Sequence, residues 1–520
     1  MSPATAPKLS EPHARRGLRG KVLVLAVTLG VAALGIALAT VFTRGARHAH
    51  VGRSASVAGK PLTVLIDSHH PGKQVRPRFI GLSFEVAALP EFAALADSGN
   101  IVGLLRSLGP GVLRFGGVSA DTQVAWTDAA TPRPAWAPRV LDSRDLRRLG
   151  RIASSSGWSV LLTVGLAHYE PMAAAREVAA AKAALGGRLA AIEIGNEPDA
   201  YAQHQFRSSP WTFARYDAEV GAYRRAIARA APGVRFAGPG VSGSQIFVTW
   251  GAGEALAQRP VLLTGHHYPL GCHQNPAPSI GRLLSIGVRK LEGQSLGRFM
   301  SVSHSSRIPF RLDEINSVSC GGTAGISNAF ASALWATGYL AEAMAAGVSG
   351  INMQGNPINC RGYSPLCAAT ARLFGSGVLH PQPDWYALLL SKSLIGSRPL
   401  PTTISTPGSP NVLAQAFKTA GGSLRLVIVD DEPPGAHPAV LRLQVGRSYR
   451  WASVLSLRAP GPAASTGVTL GGRAVARDGS WHARPRVTPL VRRGGAITLT
   501  VPASSAALVT LLRAPAAAGR

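Results

Sequence analysis

Two carboxylates stand where paired acid and base chemistry is possible. Glu197 lies in the stretch Ala191-Ile192-Glu193-Ile194-Gly195-Asn196-Glu197-Pro198-Asp199, and Glu314 sits in Pro309-Phe310-Arg311-Leu312-Asp313-Glu314-Ile315-Asn316. The first stretch reads as a short buried strand that stops at a polar tip. Pro198 cannot donate to a strand ladder, so the strand ends there. Asn196 and Glu197 are therefore predicted at the carboxyl end of a strand, where a βα barrel builds its active site. Two carboxyls facing each other can break a glycosidic bond. One protonates the leaving oxygen, and the other meets the oxocarbenium-like carbon.

The elements that must position this pair alternate along the chain. Strand-like runs are expected at 79–85, 112–117, 159–166, 189–197, 234–240, 262–268, 310–314 and 350–355. Helix-like runs lie between them, for example at 143–154, 172–185, 212–230, 280–291 and 327–346. Eight such repeats between 61 and 396 predict an α/β fold, a (β/α)₈ TIM barrel. Glu197 would then close the fourth strand and Glu314 the seventh. Beyond 397 helical periodicity fades, and short β-like runs at 413–417, 424–429, 440–445, 497–501 and 507–512 predict a β-sandwich over 397–513. Residues 61–75 hold a run, 62–67, suited to pairing with that domain, and 514–520 read as a tail.

Composition narrows the class. Hydrophobic content of 46% and charged content of 15% fit a globular chain. The net charge of +28 comes from scattered Arg and Lys, without the aromatic and basic interleaving or zinc-finger spacing of a nucleic-acid binder, so no nucleic-acid partner is expected. Residues 1–20 form a basic tail, and 21–42 a signal anchor or signal peptide whose apolar part, 22–42, is long enough to span a bilayer. A linker follows at 43–60. The bulk of the protein is expected outside the cytoplasm, membrane-anchored through this N-terminal transmembrane helix or secreted after its cleavage. Four cysteines allow three pairings, of which Cys272 with Cys320 and Cys360 with Cys367 is favoured. No CxxC occurs, and neither a metal nor a cofactor is expected.

Several further stretches carry a resemblance. Gly81-Leu82-Ser83-Phe84-Glu85, Leu113-Arg114-Phe115-Gly116-Gly117, the Asn196-Glu197-Pro198 tip, His266-His267-Tyr268-Pro269, Asp313-Glu314-Ile315-Asn316-Ser317 and Gly362-Tyr363-Ser364-Pro365 occur in this order. The set resembles glycoside hydrolase family 79, the β-glucuronidase and heparanase family, within the clan A retaining glycosidases. The resemblance spans roughly 61–513. It implies Glu197 as acid/base and Glu314 as nucleophile. Asn196 would bind the sugar 2-hydroxyl, Tyr268 would hold the Glu314 carboxylate, and Arg114 would keep it ionised. Gly362 and Tyr363 would approach a uronate carboxylate, Asp121 would bind sugar hydroxyls, and Glu85 would line the pocket. The implied activity is exo-acting hydrolysis of β-linked glucuronic acid. Endo-acting hydrolysis of an acidic polysaccharide, another clan A β-glycosidase activity and a non-catalytic carbohydrate-binding protein are the alternatives. Family members often carry Tyr five residues after the nucleophile. Ser319 stands there in this chain, which bears on uronate preference rather than on glycosidase chemistry.

Two other motifs compete. Gly238-Pro239-Gly240-Val241-Ser242-Gly243 fits the spacing of a dinucleotide loop but lacks its βαβ setting and acidic partner. His266 and His267 are strand neighbours, so they are expected to face opposite sides and cannot chelate one ion together.

Overall fold

The computed structural model describes residues 61–405, 410–482, 485–493 and 495–513. Eight parallel strands form one sheet: β1 (Gly81–Glu85), β2 (Val112–Gly116), β3 (Ser159–Val164), β4 (Leu189–Ile194), β5 (Ala237–Val241), β6 (Leu262–His267), β7 (Phe310–Ile315) and β8 (Gly350–Gly355). Their order is β4-β3-β2-β1-β8-β7-β6-β5. The two outer strands meet at a single Ile192–Phe236 bridge, so the barrel is nearly closed. Strands β2, β3, β5, β7 and β8 are buried along their whole length, as expected of strands wrapped by helices. Each of the eight predicted runs contains or overlaps one of these strands.

Some of the helices start where the sequence supplies a side-chain cap. Asp142 accepts from the Arg144 and Asp145 amides and, with the Asp145 side chain, forms a capping box for Ser143–Ser156. The run expected as one helix over 280–291 is two. A short turn, Ile280–Leu283, ends before Ser285, whose hydroxyl caps a new helix, Ile286–Ser306, by accepting from the Val288 amide.

Beyond the barrel, two sheets face each other. Strand Leu62–Ile66 joins the first sheet, antiparallel to Thr402–Ser405 and parallel to Ala439–Leu443. The second sheet contains Val412–Lys418, Leu424–Asp430, Ser505–Arg513 and the ten-residue Tyr449–Arg458. Leu62, Val64, Leu441 and Ile497 from the first sheet pack with Leu426, Ile428, Val509 and Leu511 from the second in one core. The predicted tail 1–20, segment 21–42, linker 43–60 and tail 514–520 lie outside the described residues. Among the described residues no helix is long and apolar enough to cross a membrane. Cys272 is bonded to Cys320 and Cys360 to Cys367, the favoured pairing.

Candidate active site

Strand β4 delivers its tip through a tight turn. Gly195 adopts a φ of 81°, and a β-carbon there would lie 2.7 Å from the Tyr201 hydroxyl, so only glycine fits. Glu197 follows with φ 46° and ψ 52°, a left-handed conformation uncommon outside glycine. Its amide donates to the Gly240 carbonyl at 2.9 Å, and Pro198 opens the next turn.

Strand β7 delivers its acids through an irregularity. Its register against both neighbours shifts between Leu312 and Ile315. In a regular strand Asp313 and Glu314 would face opposite sides. Here both reach Arg114: Asp313 Oδ2 lies 2.9 Å from Nε and Glu314 Oε2 2.7 Å from Nη1.

Arg114, on β2 and fully buried, is the hub of the mouth. Besides its ion pairs with the two β7 acids, it donates to Glu193 Oε2 from Nη2 at 3.0 Å, to Asn196 Oδ1 at 3.0 Å and to Ser83 Oγ at 3.2 Å. Its planar fork suits this many acceptors, and lysine could not replace it. Arg114→Met would leave three buried carboxyl groups without their counter-charge. It is expected to destabilise the fold by about 3–5 kcal/mol, with only partial recovery in Arg114→Lys, measured by urea unfolding.

His266, at the end of β6, joins the two proposed catalytic acids. Its Nδ1 lies 2.8 Å from Glu197 Oε1 and 4.0 Å from Glu314 Oε2. Burial works against its charged form, but Glu314, Asp313 and the Glu197 contact outweigh that and push it up to about 10, which favours the cation. Tyr268 donates its hydroxyl to Glu314 Oε1 at 2.8 Å and stacks on Tyr363, with 3.3 Å between the two hydroxyls. Burial alone would raise the Glu314 carboxyl. His266, Arg114 and the Tyr268 hydroxyl overcome it and hold the group below the ordinary carboxylate range. Single ligand atoms of Glu197, His266 and Glu314 lie within 4.8 Å of one another. A cation could fit that spacing, but the Arg114 guanidinium already supplies positive charge 2.7 Å from Glu314.

The remaining expected residues divide. Asn196 is buried in the site. Its Oδ1 is fixed by Arg114, and among the described residues nothing accepts from its Nδ2. Glu85 is held by the Ser119 amide at 2.9 Å and hydroxyl at 2.5 Å, and burial with the Glu314 charge nearby pushes it up to about 7. Asp121 departs from expectation. Both its oxygens are taken, by the Leu166 and Ala167 amides, the Asn196 amide and the Tyr201 hydroxyl, so it braces the β3 and β4 ends instead of binding sugar hydroxyls. Gly362 serves loop contact: a β-carbon there would lie 1.9 Å from the Gly321 carbonyl. The Tyr363 amide donates to that carbonyl at 3.1 Å, which leaves its phenol as the group beside Tyr268. The Ser319 hydroxyl accepts from the Cys272 amide at 3.1 Å, and the Cys272–Cys320 bond ties the same two loops.

Sequence reasoning passed over Glu193, Asp313 and His266 as site members. The signal for Glu193 was present: a charge in the middle of an apolar strand, four residues before Glu197. His266 belongs to the strand pair expected to split, and it does. His267 faces the Ile286–Ser306 helix, 3.3 Å from Glu292, and stacks on Tyr339.

Residues 418–508 match the Glycosyl hydrolase family 79 C-terminal beta domain. A β-glucuronidase of Aspergillus niger is 29% identical over 207 residues, covering 36% of this chain and 38% of that relative's length. The chain therefore aligns with well under two thirds of that relative. Among solved structures, a 4-O-α-L-rhamnosyl-β-D-glucuronidase of Fusarium oxysporum superposes with a TM-score of 0.65 at 18% identity, over 86% of this chain and 100% of that one. A family 51 arabinofuranosidase of Xanthomonas axonopodis gives a TM-score of 0.65 at 14% identity, over 87% of this chain and 100% of that one. At such identities the structural likeness speaks for the fold. The family match and the curated relative bear out the resemblance to glycoside hydrolase family 79, and the superpositions bear out its fold.

Proposed function

As a relative of glycoside hydrolase family 79, this chain is, we propose, a retaining β-glucuronidase. The observation that carries the reading is the spacing of the two acids: an oxygen of Glu197 and one of Glu314 lie within 4.8 Å. That proximity supports the close pairing used by retaining enzymes over the roughly 6.5–9.5 Å gap that leaves room for an inverting water. The side chains differ in exposure, 29% for Glu197 and 8% for Glu314, as suits one group that meets leaving group and water and another that meets only the anomeric carbon.

Glu197 gives its proton to the glycosidic oxygen while Glu314 bonds the anomeric carbon and the leaving group departs. Water then attacks that carbon, Glu197 takes its proton, and the bond to Glu314 breaks. Asn196 Nδ2 is free for the 2-hydroxyl, and the paired Tyr268 and Tyr363 phenols with Glu85 offer polar contacts to the rest of the ring. A cleft of about 580 Å³, bordered by Asp199, Ser242, Gln245, Tyr268, Gln294 and Arg298, lies beside the Glu197 turn and offers space for the leaving group. Near the Tyr268 and Tyr363 pair three loops are stapled by two disulfides and the Gly321–Tyr363 contact, which favours exo attack. The disulfides also support an extracytoplasmic protein, anchored through 22–42 or secreted.

The test is hydrolysis of an aryl β-D-glucuronide followed by proton NMR. First-formed β-glucuronic acid is expected, with a preference over the matching β-glucoside of about 10- to 100-fold, the worth of one hydrogen bond to a charged group. First-formed α-anomer would overturn the retaining mechanism. A β-glucoside preferred over the glucuronide would move the chain to another clan A activity, and mid-chain cuts in an acidic polysaccharide would make it endo-acting.

A further inference from the structure

We propose that the β domain carries a second carbohydrate-binding surface, on which Trp451, flanked by Arg450 and Arg513, holds a uronate-bearing polysaccharide. It uses none of the residues of the catalytic mouth. The class of polymer rests on the glucuronidase reading above; the surface itself does not.

The second sheet of the β domain is covered on both faces for most of its length. Leu426, Ile428, Val509 and Leu511 face the first sheet, while Val427, Val429, Leu457 and Leu508 pack with the barrel. The ten-residue strand Tyr449–Arg458 runs past this cover. Alternation puts Trp451 and Ser453 on the barrel-side face with Leu455 and Leu457, yet Leu457 is fully buried and Trp451 is 44% exposed. The other eight tryptophans are buried or half-buried. Register supplies the neighbours. Trp451 lies opposite Leu512 on one side and Pro489, in the edge strand Arg486–Pro489, on the other. Ser453 lies opposite Thr510 and Val487, the latter 55% exposed. Directly opposite residues share a face, with β-carbons about 4.5–5.5 Å apart. The strip from Trp451 to Leu455 is thus about 13 Å long, and about 10 Å wide across three strands.

The strip has the make-up of a sugar platform. A flat indole takes the apolar face of a pyranose ring, and the half-buried Ser453 and Thr510 hydroxyls beside it meet ring hydroxyls. Charge comes from the rim. The pairing with Ser505–Arg513 slips by one residue between Tyr449 and Trp451, which makes Arg450 the extra, exposed residue next to the indole. Arg513, opposite Tyr449, is exposed with its guanidinium 5.5 Å from that ring. Neither arginine has a salt-bridge partner among the described residues. Between 433 and 513 the chain holds eleven Arg and a single acid, Asp478. Such a field attracts a polyanion, and guanidinium forks pair with carboxylates. A polymer held here raises the concentration of its ends at the catalytic mouth without touching the chemistry.

Binding of the full chain to hyaluronan, alginate and neutral dextran tests this, in a Glu314→Gln background that blocks turnover. Adding Trp451→Ala is expected to weaken binding to both uronate polymers about 10-fold. Arg450→Ser with Arg513→Ser is expected to weaken it on the order of 10-fold as well, and to flatten its dependence on salt. Dextran is expected to bind far more weakly than either. In the chain with Glu314 intact, the same substitutions are expected to leave kcat/KM on a small aryl glucuronide within about twofold, since they touch nothing in the site. Binding of neither uronate polymer, or binding that both sets of substitutions leave unchanged, overturns the proposal. Dextran binding as tightly as the uronates overturns it too. So does Trp451→Ala abolishing attachment to phosphatidylglycerol vesicles while sparing the polymers, which would make the strip a lipid contact. Should Trp451→Ala fail to fold, the arginine variant and its salt dependence decide. A chain that binds the polymers but hydrolyses no glucuronide loses the functional reading and keeps the surface; one that hydrolyses the glucuronide but binds no polymer does the reverse.

Discussion

Glu314→Gln is expected to lower kcat on the order of 10⁶-fold, the scale seen when a covalent nucleophile is removed from an enzyme. The substitution keeps the shape of the side chain and its capacity to meet Tyr268 and Arg114, so a folded, inactive protein is the expected product. What disappears is the negative charge that must form the bond. The wild-type pH profile carries a linked expectation. His266, Arg114 and the Tyr268 hydroxyl hold this carboxyl below its ordinary value of 4.5, so it stays ionised above its depressed pKa, and activity falls only as pH drops through that value. In Tyr268→Phe, with one stabilising hydrogen bond gone, the acid limb moves to higher pH. Steady-state kinetics on an aryl glucuronide read both effects. A Glu314→Gln enzyme retaining more than roughly 10⁻³ of wild-type turnover, the loss ordinary acid–base assistance could explain, would remove Glu314 from the nucleophile's role.

Glu197→Ala is expected to fail selectively. A general acid is worth about 10²–10⁴-fold, and it matters most when the leaving group is a poor one. An alkyl or sugar leaving group should suffer the full loss. A nitrophenolate, which departs without a proton, should still be released quickly and then stall at the glycosyl-enzyme, because no base activates the water. Azide needs no deprotonation. It would attack the anomeric carbon as the bond to Glu314 breaks, restoring turnover and giving a β-glycosyl azide. The product is identified by NMR. Equal losses for all leaving groups, or an α-azide, would show that Glu197 does something else.

The barrel was legible because its strands are short apolar runs separated by amphipathic stretches, a contrast that survives in a single sequence. Tyr449–Arg458 was not. Its Trp, Ser and Arg residues are partly exposed along most of its length, so it lacks the clean alternation that marks a half-buried strand. In the site, Asn196 and Glu197 were visible because Pro198 marks the strand end. Asp313 was hidden by the alternation rule itself, since only the register shift in β7 turns two consecutive acids toward one guanidinium. Asp121 misled for a related reason: a polar residue after β2 looks the same in sequence whether it meets a ligand or caps backbone amides.

The strand Leu62–Ile66 precedes the barrel yet lies between Thr402–Ser405 and Ala439–Leu443. During synthesis it emerges long before either neighbour exists. It must wait, unpaired on both edges, while the whole barrel is made. The β domain, translated after the barrel, is thus the one that hides this strand, and until then the strand is open to pairing with other chains. Exchange of the C-terminal domain between relatives would likewise need two junctions, one on each side of the barrel, because a single cut after β8 leaves a strand of the old domain behind.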